Sequence, residues 1–525
     1  MLDFDKNYNP KQNAGLLNQL SGMKFDLKAA VEETVALFKQ YSALPPKTDT
    51  IKTSASIKPK WTEALHLLLA KRAELQDPSL ISVDETGNVS PEWKEHLDKE
   101  YRLLHNTITR EVNLLDYGAI GDGKNDCTAA FKKAIGRGRV RVIVPKGVFI
   151  TKEIRLPSWT CLIGAGKGQT IIRLHENAHK RTRLVTNANH WRGNHHICVQ
   201  DLSLDWNAER LGNTEKTSTW GNHSSCLTYA NVTFGWVKEV EAINAGLHGF
   251  DISSTLYNYA GDGWRARGGS KFIWLDKLTG YGFGDDGITT HHSEYVWISN
   301  CHMCDPSGRA HQKGFSNSNG IEVDDGSCNI LLVNNSTARC FGGVEIKAHQ
   351  NSSAASSIQI VGHISVHDNR SFNFRHIGHH KITDSMSKTA RNILGINLVS
   401  FAPVPTELYK GSTPRGLVVS AYHNVVLNHV TFIGDGDPRW ETPDQPIAAI
   451  QYRAENVILN HFAFRNFKNA SAGIKVFGGE NHADTVQIIN VYHDFMNADA
   501  VVQVGSNVRN IKIENIHQTI NGKYS

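Results

Sequence analysis

The chain has 525 residues, 56 Lys plus Arg against 51 Asp plus Glu, and a formal net charge of +5. That balance is mild and the cations are scattered, which argues against a dedicated nucleic-acid binder and leaves attraction to an acidic polymer open. Eight cysteines in so long a chain are too sparse for a disulfide-stapled secreted domain, so buried thiols are expected.

The N-terminus opens Met1-Leu2-Asp3-Phe4-Asp5-Lys6, without the basic stretch and apolar run of a secretory leader. No apolar segment approaches the roughly 20 residues of a membrane span. Synthesis in the cytoplasm is expected, with exit by lysis or on a particle if the protein acts outside the cell. Residues 1–112 read as a small α-helical module. Leu27, Val31, Thr34, Phe38 and Tyr41 follow the alternating four-and-three spacing of a helical seam, which Pro45-Pro46 ends. A second helix is predicted through Leu65, Leu68, Arg72 and Leu75, and a third, after Ser90-Pro91, through Leu97, Tyr101, Leu104 and Ile108. The module suits either an intrachain bundle or a stalk for oligomerisation or virion attachment.

From Asn113 to residue 525 the pattern changes to short β-type runs separated by Gly, Asn, Asp and Ser. A unit of the form Gly-apolar-x-apolar recurs at Gly249-Phe250-Asp251-Ile252, Gly287-Ile288-Thr289-Thr290, Gly320-Ile321-Glu322-Val323, Gly343-Val344-Glu345-Ile346, Gly416-Leu417-Val418-Val419 and Gly473-Ile474-Lys475-Val476. Second halves such as Val296-Trp297-Ile298, Ile330-Leu331-Leu332-Val333 and Ile358-Gln359-Ile360 follow each. Adjacent copies are roughly 23 to 35 residues apart, the length of one solenoid turn. With asparagine turns and no intervening helices, the reading is an all-β single-stranded parallel β-helix. Cys301-His302-Met303-Cys304 has half the spacing of a zinc or redox motif, but no second pair accompanies it, so core packing is expected.

Such a stack needs a cap. Asn113-Leu114-Leu115-Asp116-Tyr117-Gly118-Ala119-Ile120-Gly121-Asp122-Gly123 leads into the helical run Thr128–Ile135 and then Val142-Ile143-Val144-Pro145. This opening resembles the start of the pectate-lyase-like right-handed β-helix family of phage tailspikes, preneck appendages and polysaccharide depolymerases. Gly284-Asp285-Asp286-Gly287 through Ser293 is similar to the corresponding coil of preneck-appendage proteins from phages of Gram-positive bacteria. The resemblance implies a homotrimer on the virion tail, attached through the N-terminal module, that cuts a bacterial surface polysaccharide or wall teichoic acid. The chain reads as ending inside its last coil, without a C-terminal trimerisation domain after Ile516.

Alternation turns Ile321 and Val323 inward, so Glu322 and Asp324 are expected to project to solvent. Aligning on the lead glycine puts Asp251, Thr289, Glu322 and Glu345 in one column, and His291, Asp324 and Lys347 in the next. Asp285, Asp286, Asp325 and His349 fall beside them. Strands stack about 4.8 Å apart, so acids on neighbouring coils span both glycosidase geometries. Glu322, Asp324, Asp285, Asp286 and Glu345 are the catalytic candidates: Glu322 or Asp324 as proton donor, and Asp285, Asp286 or Glu345 to activate water or attack. Asp251, Arg265, Arg267, His291, His292, Asp325, Lys347 and His349 are the substrate-binding candidates. Tyr281, Phe283, Trp264 and Trp297 suit either sugar stacking or packing. No cofactor or metal is required, although Asp324, Asp325 and Glu345 would also suit calcium. A hydrolase is the first reading; a lyase on a uronic-acid polymer and a binding fibre without chemistry are the alternatives.

Overall fold

The computed structural model describes residues 2–21, 26–42, 68–257, 260–436, 445–468, 472–494 and 501–519. Among these, twelve parallel strands running from Ile154–Leu156 to Val502–Val504 form one long sheet, and a second sheet of nineteen strands wraps the remaining walls. The architecture is a right-handed parallel β-helix. Ile321, Val323, Val344 and Ile346 point inward and meet Ile330, Leu332, Ile358 and Ile360 from the opposite wall in one continuous core.

The long strands of the second sheet turn a corner in mid-strand. Asn334, Asn397, His429, His461 and Asn490 all sit there at φ between 50° and 56°, and Gly362 does so at φ 77°. Asparagine tolerates this left-handed region better than most residues, which is the physical content of the asparagine-rich turns in the repeat. Side-chain amides also stack from coil to coil, Asn424 on Asn392 and Asn460 on Asn428, each at 3.1 Å.

The helix Thr128–Ile135 closes the first coil, burying Ala130, Phe131, Ala134 and Ile135 against the core. The N-terminal elements lie along the outer flank. Leu17, from the helix Asn13–Ser21, packs with Ile364, Val366 and Val399. Within the helix Leu27–Ser42, Ala30 and Val31 meet Leu331, Val361 and Ile396, while Phe38 meets Leu394, Val426 and Ile458. Leu97 and Leu104 of the helix Lys94–Thr107 cover Cys161, Cys198 and Trp236.

The second predicted helix does not continue past Leu68. Ala70–Arg72 is a strand, antiparallel to Trp264–Ala266 with Ala70 opposite Ala266. Leu68 and Leu75 are exposed, so their helical spacing buries nothing, and pairing with an available strand edge prevails over local propensity. Leu65 and Pro45-Pro46 lie outside the described residues. All eight cysteines are buried free thiols. Phe283 belongs to the core, and Trp297 is stacked on Trp274 under the N-terminal segment, so both pack rather than bind.

Candidate active site

The long sheet brings the sequence columns into register. Thr228, Asp251, Thr289, Glu322, Glu345, Asn373 and Val418 follow one another on successive strands. Beside them His291 pairs with Asp324, and Lys347 with Arg375. Lead glycines set the spacing of this stack: a Cβ on Gly249 would lie 2.6 Å from the Gly287 carbonyl oxygen, and one on Gly287 2.7 Å from that of Gly320. The residue before each lead glycine forms a third column of His248, Asp286 and Asn319.

Contrary to expectation, these side chains do not project into solvent. Asp251, Asp285, Asp286, Glu322, Asp324, Asp325 and Glu345 face away from the core, yet all are buried. A loop after Ser253 and side chains of the later coils cover them. Tyr257 stacks on His291 with ring centroids 4.1 Å apart and donates a long hydrogen bond to Asp251 Oδ2 at 3.5 Å. The cluster approaches solvent at Lys347 and the half-exposed His349 ring. On its other side His311, bonded to Asp285, lines a cleft of about 1010 Å³ with Arg309, Lys313 and Arg339.

Inside the cluster every acid has a distinct set of partners. Lys347 Nζ lies 2.6 Å from Glu322 Oε1 and 3.7 Å from Asp324 Oδ2. Glu322 also accepts from Asn319 Nδ2 at 3.1 Å and from the Thr289 hydroxyl at 3.0 Å. Asp286 Oδ1 accepts from the Asn319 amide nitrogen and side chain at 2.9 and 3.0 Å. His248 sits between Asp251 at 3.5 Å, Asp285 at 3.8 Å and Asp286 at 3.5 Å. Arg375 Nε donates to Glu345 Oε1. One oxygen each of Asp286, Asp324 and Glu345 is buried without a short hydrogen bond, those of Asp286 and Asp324 facing His248 and His291 at 3.5 Å.

These surroundings push the acids apart. Burial, with the charges of Asp285 and Glu322, raises Asp286 well above the ordinary carboxyl range. Burial also opposes ionisation of Asp324, but Lys347, His349 and His291 outweigh it and hold Asp324 well below that range. Asp285 is lowered too, the cost of burial being overcome by His311 and His248. His248, which burial alone would lower, is held up at about 9 by Asp251 and Asp285. Lys347 stays charged for the same reason, its desolvation outweighed by Glu322, Asp324, Glu345 and Asp286. Two carboxyl groups with pKa values driven in opposite directions are the arrangement that separates a proton donor from an ionised partner.

The fold therefore gathers Asp251, Asp285, Asp286, His291, Glu322, Asp324, Glu345 and Lys347. Asp325 and His349 lie at the border, where Asp325 accepts from the His349 ring at 2.8 Å, the His349 amide at 3.0 Å and the Ser352 hydroxyl. Those bonds anchor a turn. Three candidates have structural partners elsewhere. Arg265 donates to Gly326 O and reaches Glu294 at 3.3 Å, Arg267 donates to Ala70 O at 3.0 Å, and His292 Nδ1 accepts from the Ala266 amide at 3.2 Å. Together they fix the covering loop, because that loop must be held by polar contacts where little apolar surface is available. His248, His311, Asn319 and Arg375 were not anticipated, although three of them follow from the alignment that found the others. His248 and Asn319 precede a lead glycine, and Arg375 lies one coil beyond Lys347. Three sets of side chains here have ligand-like geometry for a cation: His248, Asp285 and Asp286; His291, Glu322 and Asp324; and Asp324, Asp325 and His349. The calcium trio of Asp324, Asp325 and Glu345 is not assembled, since Glu345 is engaged by Arg375.

The family described as rhamnogalacturonase A/epimerase, pectate lyase-like, matches residues 111–345. A putative phage-related protein, YobO of Bacillus subtilis (strain 168), is 47% identical over 433 residues, 82% of this chain and 53% of its own length. The pre-neck appendage protein of Bacillus phage phi29 is 42% identical over 409 residues, 77% of this chain and 46% of its own length. A crystal structure of the phi29 gene product 12 N-terminal fragment superposes with a TM-score of 0.71 at 37% identity, covering 82% of this chain and 70% of the fragment. The chain spans about half the length of the curated relatives it matches. No helix among the described residues is long and apolar enough to cross a membrane. On these grounds the chain belongs to the pectate-lyase-like parallel β-helix family that includes the phage pre-neck appendage proteins.

Proposed function

We propose that this chain is the β-helical part of a phage tail or neck appendage that binds and hydrolyses a carbohydrate polymer of the bacterial surface, an exopolysaccharide, capsule or wall teichoic acid. The observation that carries the reading is the buried acid cluster on one outward sheet face, where Asp286 is pushed well above the ordinary carboxyl range beside Asp285 and Asp324, which are held below it. Asp286 is assigned as the proton donor to the leaving oxygen, because the acid whose pKa is raised is the one suited to donate. Asp324 suits the donor role poorly, since Lys347, His349 and His291 favour its ionised form. Asp285, Asp324 or Glu322 would then activate water or stabilise positive charge developing on the sugar ring. His311 and His349 stand where the cluster meets solvent and would orient the polymer, while buried Lys347 holds Glu322 and Asp324. The virion location, the homotrimer and attachment through residues 1–112 follow from kinship with pre-neck appendages and belong to the same proposal.

The test is to incubate the purified chain with surface polymers from a panel of bacteria, following chain length and ultraviolet absorbance together. Shortening without new absorbance supports the hydrolase. Shortening with new absorbance replaces it by a lyase, and binding without shortening across the panel leaves a receptor-binding fibre.

A further inference from the structure

Beside the acid cluster, but separate from it, three side chains from distant parts of the sequence converge. Asp262 lies on the covering loop, His376 ends the strand Arg370–His376, and His379 ends the short turn Ile377–His379 that follows it. One potential ligand atom from each lies within 4.8 Å of the others. Nδ1 of His379 is 2.6 Å from the Ser385 carbonyl oxygen, which accepts but cannot donate, so Nδ1 carries a proton and Nε2 is the nitrogen that can offer a lone pair. That lone pair faces Asp262 Oδ2 at 3.5 Å. That gap is close to the roughly 3.3 Å between neighbouring ligand atoms on a tetrahedral ion with bonds of about 2.0–2.1 Å. His376 supplies the independent sign. The residue is fully buried, its Nε2 makes no short hydrogen bond, and its ring is approached by the Gly378 amide at 3.4 Å and by the Ser352 backbone.

The carboxylate is oriented as an outer shell would orient it. Asp262 accepts from the Ser387 hydroxyl at 3.1 Å, from the Lys388 amide and from the Thr389 hydroxyl. Such second contacts fix a ligand's direction. Two imidazoles and one carboxylate leave a position open and suit a divalent ion of the zinc class better than calcium, which prefers oxygen donors. We propose that Asp262, His376 and His379 bind one such ion, which staples the loop covering the acid cluster to the turn at residues 377–389. The site stands on its own geometry and does not depend on the reaction assigned to the neighbouring acids.

Equilibrium dialysis of the full chain against Zn²⁺, read by metal analysis, tests this. Glu33, His429 and His461 form a second grouping on the flank, so Glu33→Gln serves as a control. The expected result is one ion lost in His376→Gln/His379→Gln and retained in Glu33→Gln, with a Zn²⁺-dependent rise in Tm that the double variant lacks. Should the double variant misfold, Asp262→Asn is compared by circular dichroism and by the visible spectrum of Co²⁺ at the site. Equal binding by a folded variant and the parent chain, or no retained ion in the parent, overturns the proposal.

Discussion

The ammonium of Lys347 lies 2.6 Å from Oε1 of Glu322, and both residues are buried. Together with Arg375 and His248, this lysine supplies positive charge among acids that could not otherwise share the site. Removing one partner of a buried ion pair leaves an uncompensated charge and typically costs about 3–5 kcal/mol. Lys347→Met is therefore expected to lower the urea midpoint strongly. Lys347→Met combined with Glu322→Gln should recover part of the loss, because the pair is coupled. Additive single effects would show that Lys347 is not neutralising Glu322.

Asp286→Asn removes a carboxyl group whose ionisation its surroundings disfavour, and an asparagine oxygen can still accept from Asn319. Stability should change by less than about 1 kcal/mol. Polymer cleavage should fall by about 10²–10⁴-fold, the usual contribution of a positioned acid. Urea titration and turnover of the same preparation check both halves.

The pH dependence of stability has a defined sign. His248 titrates at about 9 in the folded chain against 6.5 for an unperturbed ring. Its contribution is fully present below pH 6.5 and is lost as pH rises through 9. It amounts to roughly 3 kcal/mol at most, by the linkage between pKa shift and stability. Asp286, also raised, pulls in the same direction, so comparison with His248→Gln isolates the histidine. The parent chain should lose more stability than this variant between pH 6 and 9.5 in denaturant titrations. Asp285 and Asp324 have the opposite sign: their contribution is present above the ordinary carboxyl range and is lost as pH falls.

Two glycines should respond to alanine in opposite ways. A Cβ on Gly320 would lie 2.2 Å from the Thr337 methyl carbon inside the stack, whereas one on Gly15 meets nothing within 4 Å. Gly320→Ala is expected to cost about 1–3 kcal/mol through overpacking. Gly15→Ala, in the helix Asn13–Ser21, should gain roughly 0.5–1 kcal/mol. Thermal melts of the two variants side by side decide this.

The repeat was legible because a parallel stack requires every coil to offer the same side-chain alternation. Lead glycines at 249, 287, 320 and 343 were enough to place Asp251, Thr289, Glu322 and Glu345 on neighbouring strands, and the structure pairs those strands in that register. Burial of the site was not legible. Alternation distinguishes the core face from the outer face, but it carries no information about a loop that returns over the outer face. The covering loop is held by Arg265, Arg267 and His292, whose partners Gly326, Ala70 and Ala266 show no periodic pattern. The strand Ala70–Arg72 was misread for a similar reason, since its leucine spacing fits a helix while its partner strand lies nearly 200 residues away. His248 and Asn319 were within reach of the same alignment, had it been extended by one residue on the N-terminal side of each glycine.

The most direct test of the central claim is release of reducing ends from a surface polymer that the chain binds, measured for the parent and for Asp286→Asn at matched folded concentration. Hydrolysis by the buried acid cluster predicts steady release by the parent and a loss of at least about 100-fold in the variant, with binding retained. Equal release by both proteins would contradict it and would place the chemistry elsewhere on the solenoid.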